Sequence, residues 1–363
     1  MYRQGILTFA ALVTAAICLP EAVAFSTTQP QLQAGLQTGL QTGLQTAPTT
    51  TSLLVASTSI EEDDTLTSSG LLRRDRYIAT NRFAVRRNKE AKFEARWANR
   101  KSRLAVLPGF KYFHLMRRVT LNEDGTSSYE GGESKDGSNK GNYVSFTIWD
   151  SKSDFSAWRK GDAFKEAHGG TSISAFMSTM VSSALILKGP PRPAFYDGLL
   201  VQSTIPTALP DTTDEGWRTV EANGKDILDT ECFIACNNFF VPGENGAEFE
   251  QRWVNRVSTL KENDGFVAFS MLRRDAKAKG HGVKEMDEMT EPTYTSTTIW
   301  KNRQAFEDWK TGAGFKKAHG SSKPGTPGQE TKGEVKPTKP LWSRPPVPTF
   351  YEGTLVLSSP EGA

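Results

Sequence analysis

The chain has 363 residues, 37% hydrophobic and 23% charged, a composition of folded, water-soluble protein with room for two or three domains. Its net charge of +3 is too small to point to a nucleic-acid partner. Three cysteines cannot support a disulfide framework: Cys18 lies in a leader, and Cys232 and Cys236 sit four apart in a β-like run, roughly 13 Å from each other, so both are read as ordinary thiols.

The N-terminus has the layout of a targeting segment. Arg3 gives a positive start, Ile6 to Leu19 is an apolar run too short for a comfortable membrane span, and Ala22-Val23-Ala24 is a small-x-small cleavage site. Residues 1–24 are therefore read as a signal peptide, and no membrane span is expected in the mature chain. Cleavage exposes Phe25. From there to Ile60 no acidic residue occurs, and Gly-Leu-Gln-Thr is reiterated between Gly35 and Thr46. Such a segment cannot form a packed core, so residues 25–76 are taken as disordered and transit-peptide-like. This leader resembles the bipartite presequences of algae with secondary plastids, which implies a plastid destination. The secretory pathway is the alternative, since a signal peptide alone satisfies it.

Elements follow in a regular order. A short strand-like run, Tyr77 to Val85, precedes a segment in which Phe93, Trp97 and Leu104 fall at helical spacings. Gly109 ends that helix and opens a strand whose Phe113 and Leu115 share a face. A polar loop from Asn122 to Asn142 leads to a second strand, Tyr143 to Trp149. A helical stretch carries Phe155 and Trp158, breaks at Gly161, resumes through Phe164 and ends at His168-Gly169. A last strand runs from Phe195 to Val201. The order βαββαβ is the ferredoxin-like split unit, and its sheet has helices on one face only, so the other face needs a cover.

The second half repeats the first. Ile78-Ala79-Thr80-Asn81-Arg82-Phe83 lines up with Ile234-Ala235-Cys236-Asn237-Asn238-Phe239. The same offset carries Phe93, Arg96, Trp97 and Arg100 onto Phe249, Arg252, Trp253 and Arg256, and Arg117-Arg118 onto Arg273-Arg274. After a loop of different length, Trp149, Phe155, Trp158, Phe164 and His168 match Trp300, Phe306, Trp309, Phe315 and His319. Ordered agreement of this kind marks two structural units, 77–203 and 232–358, joined by an acidic, Pro-containing linker, 204–231. A tandem copy can supply the missing cover as an intramolecular pseudo-dimer.

No Gly-rich phosphate loop, Ser/His/Asp spacing or zinc pattern is present. The histidines stand out: two of the four, His168 and His319, occupy one position in both copies. Taken alone, a histidine beside a terminal Gly caps a helix, the tryptophan ten residues earlier is core, and Asn81 and Asn237 are turn residues. Arg117-Arg118 and Arg273-Arg274, at strand ends, read as solvated charges, with pairing to a carboxylate ligand as the alternative.

A strand ending in Asn, a helix reading Phe-x-x-Arg-Trp-x-x-Arg, a Gly-Phe strand start and Trp-x5-Phe-x-x-Trp-x5-Phe-x-x-Ala-His together resemble the antibiotic-biosynthesis-monooxygenase superfamily, and within it the Isd-type heme-degrading monooxygenases. The resemblance covers both repeats. It implies an α+β fold, two tandem ferredoxin-like domains closing one pseudo-dimeric barrel, with heme as substrate and cofactor between sheet and helices. His168 and His319 are then the heme-iron ligands. Trp158 and Trp309 press on the macrocycle, and Asn81 and Asn237 donate a hydrogen bond on the distal side. These types suit one another: a neutral imidazole holds iron and leaves the opposite face open to O2, while an uncharged amide donor is tolerable in an apolar pocket. No flavin or nicotinamide motif occurs, so electrons are expected from an external donor. The expected activity is oxidative cleavage of heme, releasing iron and a tetrapyrrole product. A non-catalytic heme carrier and a cofactor-free monooxygenase of the same superfamily are the alternatives.

Overall fold

The computed structural model describes residues 66–100, 102–122, 124, 126–129, 141–167, 183–256, 258–278, 291–313, 315 and 340–363. The signal-peptide segment and nearly all of the leader fall outside that set. In the first copy β1 (Arg76–Phe83) is followed by α1 (Glu90–Ala98), β2 (Phe110–Leu121), a short β3 (Ser127–Tyr129), β4 (Tyr143–Trp149), α2 (Lys152–Lys160), α3 (Asp162–Ala167) and β5 (Arg192–Ser203). The second copy runs β6 (Cys232–Phe239), α4 (Gly246–Val254), β7 (Phe266–Arg274), β8 (Tyr294–Trp300), α5 (Arg303–Thr311) and β9 (Val347–Ser358).

Each copy orders its four main strands alike, β2-β4-β1-β5 and β7-β8-β6-β9, all antiparallel. The copies join twice: β5 pairs with β7 and β9 pairs with β2, which closes an eight-stranded barrel with β3 as an appendage on β2. Closure removes the sheet edges that each copy alone would expose. At both seams the register slips beside a leucine in the left-handed region, Leu200 with φ 54° and Leu355 with φ 54°. A β-branched or bulky residue adopts that region only at a cost of about 1–2 kcal/mol, which the bulge and the strand bend it produces must offset.

Alternate residues divide the molecule into three cores. Ile78, Tyr112, Met116, Phe146, Ile148, Tyr196, Ile234 and Ile299 fill the barrel lumen. Tyr77, Phe83, Phe93, Phe113, Trp149 and Phe155 lie between sheet and helices of the first copy, and Phe233, Phe239, Phe249, Phe269, Trp300 and Phe306 do so in the second. The two cysteines among the described residues, Cys232 and Cys236, are free and buried and face the lumen.

The segments outside the repeats cross over. Leu72, from the stretch assigned by sequence to the disordered leader, is buried in the second copy's core, and its amide donates to Glu250 Oε2 at 2.6 Å. Leu228, from the presumed spacer 204–231, is buried in the first copy, and its amide donates to Glu94 Oε2 at 2.6 Å. Residues 66–75 therefore belong to the folded body, and the linker is a packed arm. Its Trp217 packs on Phe113, with ring centroids 5.3 Å apart, and donates Nε1–H to the Ala98 carbonyl at 3.2 Å. That bond satisfies a carbonyl freed where α1 stops at Asn99, well before Gly109, where the sequence pattern placed its end. Leu104 is buried instead in a short 3-10 turn, and Gly109, φ 72°, makes the left-handed step into β2.

Two of the strand-end arginines, Arg117 and Arg273, are not solvated. Arg117 is 3% exposed and donates to Glu94 Oε1 at 2.9 Å, with Glu94 fully buried and also accepting from Tyr143 Oη at 2.7 Å. Arg273, Glu250 and Tyr294 repeat the set, with Arg273 to Glu250 at 2.9 Å and Tyr294 Oη to Glu250 at 2.8 Å. Each carboxylate thus receives a guanidinium, a phenol and a crossing-arm amide, and this engages Arg117 and Arg273 within the protein. Burial, followed by the neighbouring carboxylate, drives the Tyr143 and Tyr294 phenols well up.

Candidate functional site

The alternation of β1 decides what faces the helices. Tyr77, Ala79 and Phe83 lie in the sheet–helix core and Ile78 in the lumen, so Asn81 stands on the helix side. It is flanked across the sheet by Ser145 on β4 and Pro193 on β5. Asn237 is flanked by Ser296 and Pro348, the same neighbours in the second copy. Neither amide side chain makes a hydrogen bond within the described residues. Asn81 is partly buried and Asn237 exposed, so the two sites differ in enclosure.

Beside each Asn the floor is built of small side chains. Ala79, Ser145 and Thr147 are buried, and the Thr147 hydroxyl turns down to the Ala79 carbonyl at 3.1 Å. Ala235, Ser296 and Thr298 repeat this, with Thr298 to the Ala235 carbonyl at 3.1 Å. Aromatic rings rise at both ends. At the Asn end, Trp97 meets Phe83 at 5.8 Å and stacks on Phe113 at 5.7 Å. At the other end Trp158 stacks on Trp149 at 5.4 Å, touches Phe155 at 5.7 Å and takes the edge of Phe164 at 5.1 Å. Trp309 holds the matching place, 5.3 Å from Trp300 and 4.9 Å from Phe315. Trp149 pairs with Tyr77, four residues before Asn81, so Asn and the Trp158 cluster are separated by on the order of 13 Å of sheet.

The helices that carry the tryptophans are started by side-chain caps, Ser151 accepting from the Asp154 amide at 3.2 Å and Asn302 from the Ala305 amide at 2.9 Å. Gly161 and Gly312 end them, and α3 then runs to Ala167. His168 and His319 lie outside the described residues, as do both segments that follow them, 168–182 and 316–339. The structure therefore brings Asn81 and Trp158 to one face, and Asn237 and Trp309 to its counterpart, without testing either iron ligand. Among the described residues no group of His, Cys, Asp and Glu could hold a metal ion. Nor is any described helix long and apolar enough to cross a membrane.

One cation borders the first floor. The Arg100 guanidinium lies 4.4 Å from the Trp97 ring and 5.4 Å from Trp217, its Nε has no partner, and burial together with nearby Arg96 brings its pKa down to about 10. Arg256 stacks on Trp253 at 4.2 Å in the second copy. A small cleft bordered by Ile148, Ala268, Ser270 and Thr297 opens in the lumen and not on either helix-facing floor. The floor residues escaped the sequence reading because small side chains carry no chemical signature, although Ala79, Ser145 and Thr147 do recur in the repeat. Where the donor set can be judged, it fits a flat aromatic ligand: a small-residue bed, ring walls and one uncharged donor beside it.

The antibiotic biosynthesis monooxygenase family model matches residues 76–170 and again 232–321. A heme oxygenase (staphylobilin-producing) from Staphylococcus haemolyticus is 30% identical over 112 residues, spanning 31% of this chain and 91% of the relative. Among solved structures, a protein from Fusobacterium nucleatum assigned as a monooxygenase aligns with a TM-score of 0.45 at 12% identity, over 80% of this chain and 98% of its own. The heme-degrading enzyme LmHde from Listeria monocytogenes aligns with a TM-score of 0.26 at 9% identity, over 76% and 98%. With two matched segments, one in each half of a single closed barrel, the chain belongs to the antibiotic biosynthesis monooxygenase family as a tandem duplication.

Proposed function

We propose that the protein binds heme on the helix-facing floors and cleaves it oxidatively with O2 and an external electron donor, releasing iron and a tetrapyrrole product. The observation that carries this reading is the repeated floor, where an unpaired Asn stands beside small residues between aromatic walls in both copies. Similarity to the staphylococcal heme oxygenase supports it. Bound heme supplies the iron that activates O2 and is itself the molecule oxidised.

The chain's own residues bind and orient it. His168 and His319 are proposed to hold the iron. Asn81 and Asn237 offer an amide N–H on the sheet side without bringing a charge into an apolar pocket. Trp158 and Trp309, braced by Trp149 and Trp300, set the position of one edge of the macrocycle. The aromatic walls exclude water from the first floor more completely than from the second, where Asn237 is exposed, so the first site is the tighter one.

Hemin titrated into the mature chain tests binding. A Soret shift saturating at two equivalents is expected, with His168→Ala and His319→Ala each removing up to half of it and the double variant removing all. No shift in the parent chain, or unchanged stoichiometry in the double variant, contradicts the assignment.

A further inference from the structure

On the lumen side of the same sheet lies a group of charges that heme binding does not use. Arg82 follows Asn81 and points the opposite way, into the barrel. Its Nη2 donates to the Tyr196 hydroxyl at 3.0 Å, so a phenol takes the place where a part-buried guanidinium ordinarily meets a carboxylate. Across the β5–β7 seam, Arg274 places its Cζ 5.3 Å from the Tyr196 ring. The Arg274 side chain is 7% exposed, its Nη1 has no hydrogen-bond partner, and the nearest carboxylate among the described residues, Glu291, is 3.8 Å from Nη2. Tyr351 on β9 faces the same lumen, across the β2–β9 seam from Arg118.

Positive potential here exceeds what Glu291 neutralises. Burial works to raise the Tyr196 pKa, yet Arg82 and Arg274 overcome it and hold the phenol below its ordinary value. Among the described residues the partly exposed Glu291 is the one carboxylate beside the part-buried Arg82 and the shielded Arg274 side chain, an arrangement that is costly unless a further anion joins them. Arg118 and Tyr351 repeat the Arg274 and Tyr196 pair across the other seam, but the Arg82 charge is confined to one copy. At the position equivalent to Arg82 stands Asn238, whose amide is satisfied locally by the Val347 carbonyl at 2.9 Å and the Thr349 hydroxyl at 3.1 Å. Departure from the repeat at a lumen position therefore adds a charge and leaves its partner open.

We infer that this mouth of the barrel is a binding site for one small oxyanion, held by Arg82 and Arg274 with the Tyr196 and Tyr351 hydroxyls. The forked guanidinium of Arg82 and the unpartnered Nη1 of Arg274 match the oxygens of a phosphate or a carboxylate. The site is single, against two heme floors, and lies on the other face of the sheet.

The full mature chain is melted in increasing inorganic phosphate, and separately in citrate, against chloride at matched ionic strength. A saturable rise in Tm with either anion is expected, phosphate and citrate separating a phosphate ligand from a carboxylate one. Arg82→Asn copies the residue that the second repeat already accommodates and should weaken the response at least tenfold, as the loss of one charge-assisted hydrogen bond implies. Arg274→Gln should do the same, and hemin stoichiometry should stay unchanged in both. Equal Tm in all three salts, or an undiminished response in both variants, overturns the inference.

Discussion

Replacing Glu94 with Ala removes the acceptor for three buried donors at once: Arg117 at 2.9 Å, the Tyr143 phenol at 2.7 Å and the Leu228 amide at 2.6 Å. The guanidinium left behind is 3% exposed and keeps one carboxylate, the more distant Glu352, 3.4 Å away and itself partly exposed, together with two neutral acceptors, the Leu228 carbonyl at 3.2 Å and the Thr230 hydroxyl at 3.2 Å. Breaking a buried ion pair from one side costs about 3–5 kcal/mol. In a body of this size that lowers Tm by roughly 6–20 °C. Urea denaturation followed by tryptophan fluorescence measures it directly. Because Leu228 ties the linker arm to the first copy, the arm should also become sensitive to limited proteolysis around Thr230. A loss below about 1 kcal/mol would refute the reasoning, for it would mean that the pair is solvated after all. Glu250→Ala should behave alike through Arg273, Tyr294 and Leu72.

Burial holds the His114 pKa down to about 3, well under its ordinary 6.5. The native state then refuses a proton that the unfolded chain accepts, so stability is full above pH 6.5 and falls as pH drops toward 3, by about 2 kcal/mol between pH 7.5 and 5. His114→Ser, which installs the residue found at the equivalent position 270, should flatten that slope in denaturation curves taken across the range. Trp217→Ala should cost about 3–5 kcal/mol and shift the thermal midpoint accordingly, since it loses the packing on Phe113 and the bond to the Ala98 carbonyl. Asn81→Leu should leave hemin binding within a few-fold of the parent but slow its oxidative bleaching by at least tenfold, as expected for removal of a donor used only in the reaction; equal bleaching rates would count against the role.

The fold was legible because the repeat could be aligned residue by residue. Phe83 with Phe239 and Trp149 with Trp300 mark the same sheet positions, and the βαββαβ order brings the ferredoxin-like strand order with it. Reciprocal crossing of the arms was hidden, since Leu72 and Leu228 are single apolar residues in polar stretches and their partners are nearly two hundred and about one hundred and thirty residues away. Arg117 was misread for a related reason. A strand-end arginine is usually wet, and only the buried carboxylate on α1 says otherwise. A signal was present, because Glu94 and Glu250 share the offset that relates Arg117 to Arg273. His114 and Arg82 carried none: the second copy has Ser270 and Asn238, and a residue that breaks the repeat is invisible to an argument built on repetition. Of the candidate site, the Asn and Trp positions came from the family resemblance, since the residues alone read as turn and core, whereas the floor depends on three strands meeting in register.

The measurement that bears most directly on the central claim is a single turnover experiment. Hemin-loaded protein is mixed with ascorbate and O2 while the visible spectrum is followed and released iron is trapped with a ferrous chelator. Loss of the Soret band, with iron released in proportion and a new tetrapyrrole absorbance, is the predicted result. A bound spectrum that persists without iron release would contradict heme cleavage and leave the protein a heme carrier.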